Sequence, residues 1–229
     1  MDAMQHKTGR MIWFFIIVLW ASACFSDDGH AYRSQEQGSR FTLLLTPGEY
    51  HTGKGGWFVF SYSVYPQVAV WLETTDGKYL ETLYVTRKAD EGTWRAAPDT
   101  GRPEALPVWS HLRRALPNGV SSATATQETY AVRKTSGSLP AGRYVVMLEA
   151  NRSYLYNDAY PKSVSGVNGQ PSVVYRAEIT IGQGSTEAGF APVGTGSPDG
   201  SNGEIRYSLE GIDTALQLFS DMKIVYAEE

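Results

Sequence analysis

Val68-Ala69-Val70-Trp71-Leu72-Glu73, then Thr74-Thr75-Asp76-Gly77-Lys78, then Tyr79-Leu80-Glu81-Thr82-Leu83-Tyr84-Val85-Thr86, is the stretch on which the fold class turns. Val68, Val70 and Leu72 fall on one side of an extended chain and Ala69 and Trp71 on the other, the period of two that marks a strand. Asp76-Gly77 is a hairpin signal, and Tyr79 to Thr86 returns as the partner strand.

Working outward, Gly55-Gly56 introduces Trp57 to Tyr65, which alternates and reads as one strand with Phe58, Phe60, Tyr62 and Val64 on a common face. Phe41 to Thr46 opens the ordered part, and Pro47-Gly48 closes it with a turn. Downstream, Arg87 to Pro107 is rich in charge, Pro and Gly and reads as a long surface connection. Pro107, Val108, Trp109, Leu112, Ala115 and Leu116 stand at helical spacing, so one short amphipathic helix is predicted, stopped by Pro117-Asn118-Gly119. Thr129 to Lys134, Arg143 to Ala150 and Ser172 to Ile181 alternate as strands. Between the last two lies a polar, Tyr-rich loop from Asn151 to Gln170.

Gly182 to Gly203 reads as a Gly/Ser/Pro linker or loop, and 204–229 supplies a last pair of strands, Glu204 to Leu209 and Ala215 to Tyr226, around a turn near Gly211. Many short strands with frequent turns predict an all-β chain, an immunoglobulin/fibronectin-like β-sandwich with one short helix, whose main domain spans 41–181. The Pro140-Ala141-Gly142-Arg143-Tyr144 run resembles a strand start of immunoglobulin-like sandwiches, in which the Tyr packs inward.

The 229 residues suffice for one substantial core, and 12% aromatics with 23 glycines suit a β protein. A net charge of -4 with no Lys/Arg-rich run gives no reason to expect nucleic acid as a partner. A single cysteine rules out an intrachain disulfide framework and any multi-Cys metal site.

That cysteine stands in a telling place. Lys7 and Arg10 precede an apolar run from Met11 to Trp20, followed by Ala21-Ser22-Ala23-Cys24. This is the layout of a secretory signal over 1–24, and the run is shorter than the roughly 20 residues of a membrane span. Its end resembles the lipobox of bacterial lipoproteins, with Ala21 in place of the usual Leu; the resemblance implies acylation of Cys24, and plain cleavage after Ala23 is the alternative. Polar residues 25–40 read as a flexible tether. The expected location is the periplasm, or the extracytoplasmic side of a membrane held through a lipid anchor.

Familiar catalytic patterns do not assemble. His6, His30, His51 and His111 are isolated and read as surface histidines, so no metal site is expected. No Gly-x-Ser-x-Gly elbow is present, and Gly53-Lys54-Gly55-Gly56 lacks the Walker spacing. One stretch looks like a chemical address: Asn118-Gly119-Val120-Ser121-Ser122-Ala123-Thr124-Ala125-Thr126 combines small residues with reachable hydroxyls, in what reads as an exposed loop.

From Tyr65 to Ile181, about half of the chain, the sequence resembles a family of predicted periplasmic proteins (domain of unknown function 2271). The residues that carry the likeness are Val68 to Glu73, Asp76-Gly77-Lys78, Leu83, Trp109 to Arg114, Val120 to Thr124 and Leu139 to Tyr144, in that order. Members of that family stand alongside flavin transferases and PepSY-type membrane redox proteins, which implies an extracytoplasmic redox setting.

Ser121, Ser122, Ala123 and Thr124 also resemble the motif at which a flavin transferase esterifies FMN onto a Thr or Ser of an exported protein. Asn118 stands where that motif has Asp, keeping its shape and removing its carboxylate. The resemblance implies covalent FMN on Thr124, with Trp109 or Trp94 as candidate stacking partners, in an electron carrier rather than a turnover enzyme. The alternative is a flavin-free immunoglobulin-like binding or accessory module of a periplasmic redox or metal-uptake system.

Overall fold

The alternating segments pair into two packed sheets in a computed structural model, which describes residues 39–57, 60–94, 101–115, 119–122, 129–135 and 139–228. In chain order the elements are β1 (Ser39–Pro47), β2 (Gly53–Trp57), β3 (Phe60–Val64), β4 (Gln67–Thr74), β5 (Tyr79–Thr86), α1 (Arg87–Glu91), α2 (Pro107–Ala115) and β6 (Gly119–Ser122). There follow β7 (Thr129–Thr135), β8 (Gly142–Asn151), α3 (Lys162–Ser165), β9 (Val173–Ile181), β10 (Thr186–Gly189), β11 (Ala191–Thr195), a 3-10 turn (Thr214–Gln217) and β12 (Phe219–Glu228). The signal segment, Cys24 and nearly all of the tether lie outside the described residues.

One sheet has the order β10-β12-β1-β7, the other β11-β9-β8-β4-β5-β6, and β2-β3 stands apart as a hairpin. Between them the side chains of alternate positions interdigitate: Phe41, Leu43 and Leu45 from β1, Val68, Val70 and Leu72 from β4, and Val146 and Leu148 from β8 meet Ile224 and Tyr226 from β12. Removing each such side chain from water is worth about 1.5–3 kcal/mol. The architecture is the all-β sandwich that the alternation predicts, with α2 as its longest helix.

The hairpin β4–β5 forms where the turn chemistry places it. Gly77 takes φ 84°, open to glycine at no steric cost, and its N–H donates to Thr74 O at 3.0 Å. Ala69 and Trp71 on the other face of β4 are equally buried, because α2 covers that side with Val108 and Trp109, next to Leu106, Val145 and Met147. The six-stranded sheet is thus packed on both faces.

Tyr144 packs into the inter-sheet core, and its hydroxyl donates to Pro140 O at 2.8 Å. This is the tyrosine corner of immunoglobulin-like sandwiches, tying a strand to the turn before it. Tyr144→Phe keeps the ring and removes that bond, so a loss of about 1 kcal/mol is expected, seen as a lower urea midpoint at unchanged slope.

Four expectations need correction. Trp57 to Tyr65 is not one strand; β2 and β3 pair antiparallel, with Gly55 opposite Tyr62 and Trp57 opposite Phe60. Glycine is the reason the hairpin lies down, since a Cβ at Gly55 would meet the Tyr62 ring at 2.8 Å and the Tyr154 ring at 2.9 Å. Tyr62 is 52% exposed.

Gly182 to Gly203 is not a linker, because β10 joins β12 in one sheet and β11 joins β9 in the other, so the segment crosses from sheet to sheet along one side. Glu204 to Leu209 makes only an isolated bridge from Arg206 to Thr195, leaving β12 as the single strand of the C-terminal pair. The Asn151 to Gln170 loop is polar in composition yet buries Asn151, Arg152, Asn168 and Gln170. Gln170 explains part of this: its side chain accepts from Asp213 N at 3.0 Å and donates to Thr214 Oγ1 at 2.7 Å, pinning the loop to the 3-10 turn.

Candidate functional site

The address-like run begins as a strand rather than a loop. Ser121 and Ser122 belong to β6, which pairs parallel to β5 with Ser121 opposite Val85 and Ser122 opposite Thr86. Ala123 and Thr124 lie outside the described residues, as does Asn118. β6 is the outermost strand of its sheet, so one side of its backbone has no strand partner among the described residues. A short parallel strand of small residues next to helix-stopping Pro-Asn-Gly carries little local signal. Its pairing with β5 is a long-range outcome.

The end of β6 is aligned with three other strand ends. Thr86 is fully buried; its hydroxyl donates to Gln67 Oε1 at 2.9 Å and accepts from Val68 N at 3.2 Å. Gln67 in turn pairs with Asn151. The ends of β8, β4, β5 and β6 therefore stand together at one end of the six-stranded sheet, the usual seat of binding residues in such folds.

Beside this end, α1, α2 and residues 101–103 enclose an open cleft of about 430 Å³, lined by Trp94, Arg102, Trp109, Ser110 and Arg113. Its cations are engaged. The Arg102 guanidinium lies 5.9 Å from the Trp94 ring, with Nε at 2.8 Å from Glu104 Oε1 and Nη1 donating to Ser153 Oγ at 2.6 Å. Arg113 pairs with Asp90 at 2.7 Å.

Of the two tryptophans expected to stack, Trp94 is half-buried and borders the cleft. Trp109 is a core residue: it is 1% exposed, its indole N–H donates to Thr82 Oγ1 at 3.0 Å, and the Arg113 guanidinium lies over its ring at 5.2 Å. Trp109 is therefore a packing residue, and Trp94 is the more accessible of the two indoles.

Below α2 sits Glu149, on the face of β8 opposite Tyr144, Val146 and Leu148. It is fully buried, and its carboxylate accepts from Val108 N at 3.2 Å, Trp109 N at 2.9 Å and Ser172 Oγ at 2.6 Å. Two of these donors are the otherwise unpartnered N–H groups of the first turn of α2, so Glu149 caps that helix from another element. Burial pushes its carboxyl up to about 7 against the opposing pull of the three donors. The apolar company of Val145 and Met147 on the same face was the available signal that Glu149 points into a second core.

Among the described residues no three His, Cys, Asp or Glu side chains gather as metal ligands. His111 is engaged with its own helix, Nδ1 lying 2.9 Å from Pro107 O. Comparison with family models, curated proteins and solved structures finds no match to this chain.

Proposed function

We propose that the protein is an exported, lipid-anchored β-sandwich that carries FMN esterified to Thr124 and relays electrons on the extracytoplasmic side of a membrane. The observation that carries this reading is the continuity of the Ser121-Ser122-Ala123-Thr124 motif with β6, an edge strand that no described strand covers. A transferase must bring its own backbone against the acceptor segment, and an open strand edge of small residues is suited to that.

The cleft beside the same sheet end adds a second support. Trp94 with Arg102 across its ring offers an aromatic wall, and the volume of about 430 Å³ falls within the range of ligand clefts. A bound flavin supplies one- and two-electron chemistry that no side chain of this chain offers. The protein's own part would be to lead into the acceptor segment from the edge strand β6 and to supply Trp94 as the aromatic side chain of the cleft. Delivery would run through the signal segment and Cys24, the partners being a flavin transferase and a PepSY-type or other membrane redox protein.

Co-expression of the full chain with a flavin transferase tests this directly. The expected result is a yellow protein whose mass rises by that of FMN less one water, and whose gain disappears in Thr124→Ala. An unchanged mass beside a modified control substrate would remove the carrier reading and leave the flavin-free accessory module. Detergent-phase partitioning should be lost in Cys24→Ser; retention of it would exclude the lipid anchor.

A further inference from the structure

Arg152 follows β8 directly and is only 7% exposed, yet no described residue hydrogen-bonds to it or pairs with its charge. Its Nε is fully shielded and without an acceptor. Burial lowers the pKa of this guanidinium from its ordinary value. A guanidinium remains charged at any ordinary pH, and an uncompensated buried charge is among the costliest arrangements a fold can hold.

A second donor stands close by. His51 is 2% exposed, and its Nε2 has no partner. Burial first, and the Arg152 charge second, lower its pKa, so the ring is neutral at pH 7. Nδ1 lies 3.4 Å from the Thr52 hydroxyl, which can donate to it, and in that tautomer Nε2 carries the ring hydrogen. The ring is held by Phe219 at 5.6 Å edge-on and Tyr65 at 6.0 Å, and its turn is fastened by Tyr50 N donating to Gln217 O at 3.1 Å.

The hairpin β2–β3 lies against Arg152 at Gly53. A side chain at Gly53 would collide with the Arg152 guanidinium, so bare backbone lies against the cation there. The Tyr62 and Tyr154 hydroxyls meet at 2.9 Å, and Tyr154 adopts φ 64°, the one positive φ of a non-glycine among the described residues. Strain of that kind persists where surrounding contacts over-determine it, and it clusters at ligand sites.

We infer that Arg152 and His51 form a binding site for an oxyanion, a carboxylate or phosphoryl group, at the end of the sandwich where β8 and β4 terminate. The planar fork of the guanidinium matches two oxygens of such a group, and the imidazole N–H takes a third lone pair. The buried charge is neutralised on occupation. Asn151 beside Arg152 stands on the strand paired with Gln67, so the site shares its sheet end with Ser122 but does not depend on flavin attachment.

The test is a titration of the full chain at constant ionic strength set with sodium chloride, with inorganic phosphate in one arm and acetate in the other. The readouts are the Nε–H resonance of Arg152 and the Gly53 amide in nitrogen-15 spectra. A saturable shift in either arm supports the site, phosphate alone marking a phosphoryl ligand and acetate alone a carboxylate. Arg152→Lys keeps the charge and loses the fork, so the Gly53 response should need about tenfold more anion or vanish. Arg143→Lys, at an exposed position, should leave the response unchanged. Linear, non-saturating shifts in both arms, or a Gly53 response of equal midpoint in Arg152→Lys, would overturn the inference.

Discussion

Glu149→Ala is expected to cost about 3–5 kcal/mol of unfolding free energy, close to the whole stability of a marginal domain. The loss does not come from a missing charge. It comes from Val108 N, Trp109 N and Ser172 Oγ, three buried donors left facing a void, each carrying a desolvation penalty of about 1–3 kcal/mol. Glu149→Gln retains one acceptor oxygen and should lose only about 1 kcal/mol.

The same residue sets a pH dependence with a definite sign. Its carboxyl is raised from 4.5 to about 7, so between those values the native state holds a proton that the unfolded chain has released. Stability therefore falls as pH rises through this window, by about 3 kcal/mol in all, and levels off above it. Urea titrations from pH 4 to 8 should show that decline in the natural protein and a flatter profile in Glu149→Gln. Parallel profiles would mean that the carboxylate is ionised throughout and held by its donors more firmly than burial opposes it.

Trp109→Ala is the second large effect, at about 3–5 kcal/mol. The indole is the main anchor of α2 on the outer face of the sheet, packed with Trp71, Val145 and Met147, and its N–H is partnered by Thr82, which also meets the Tyr79 hydroxyl at 2.7 Å. Truncation opens a cavity too rigidly walled to collapse, strips a buried hydroxyl of a donor and frees Arg113 from its ring contact. Trp109→Phe fills most of the space and should recover over half of the loss. A change below about 1 kcal/mol for the alanine variant would contradict the docking of α2 on this face. Under the carrier reading, Trp109→Phe should leave flavin attachment intact, because the ring is packed in the core and only 1% exposed.

Most of the scaffold could be read before any tertiary contact was known. The strands β4, β7, β8 and β9 show alternation over five or more residues, β5 follows from the Asp76-Gly77 turn, the Pro140-Ala141-Gly142 turn uses local chemistry, and the helical spacing from Pro107 places α2. Tyr144 followed the same rule. These features are encoded within a few residues of where they act.

The site was less legible. His51 was expected at the surface, and its burial follows from Phe219 and Tyr65, far along the chain or across a hairpin. Arg152 opened a loop whose composition says solvent, and the Gly53 backbone of the β2–β3 hairpin lies against its guanidinium. β10 and β11 looked like linker because four or five residues of Thr, Gly and Pro have no period to show, and they become strands by adding to the edges of β12 and β9.

Side-chain alternation and turn residues thus specified a β-sandwich with a short amphipathic helix, because period and φ preferences are properties of neighbouring residues. The fate of Glu149, Arg152, His51 and the edge strand β6 was settled by packing. Whether a polar group is capped, unpartnered or exposed depends on which distant donor, acceptor or backbone the fold brings against it.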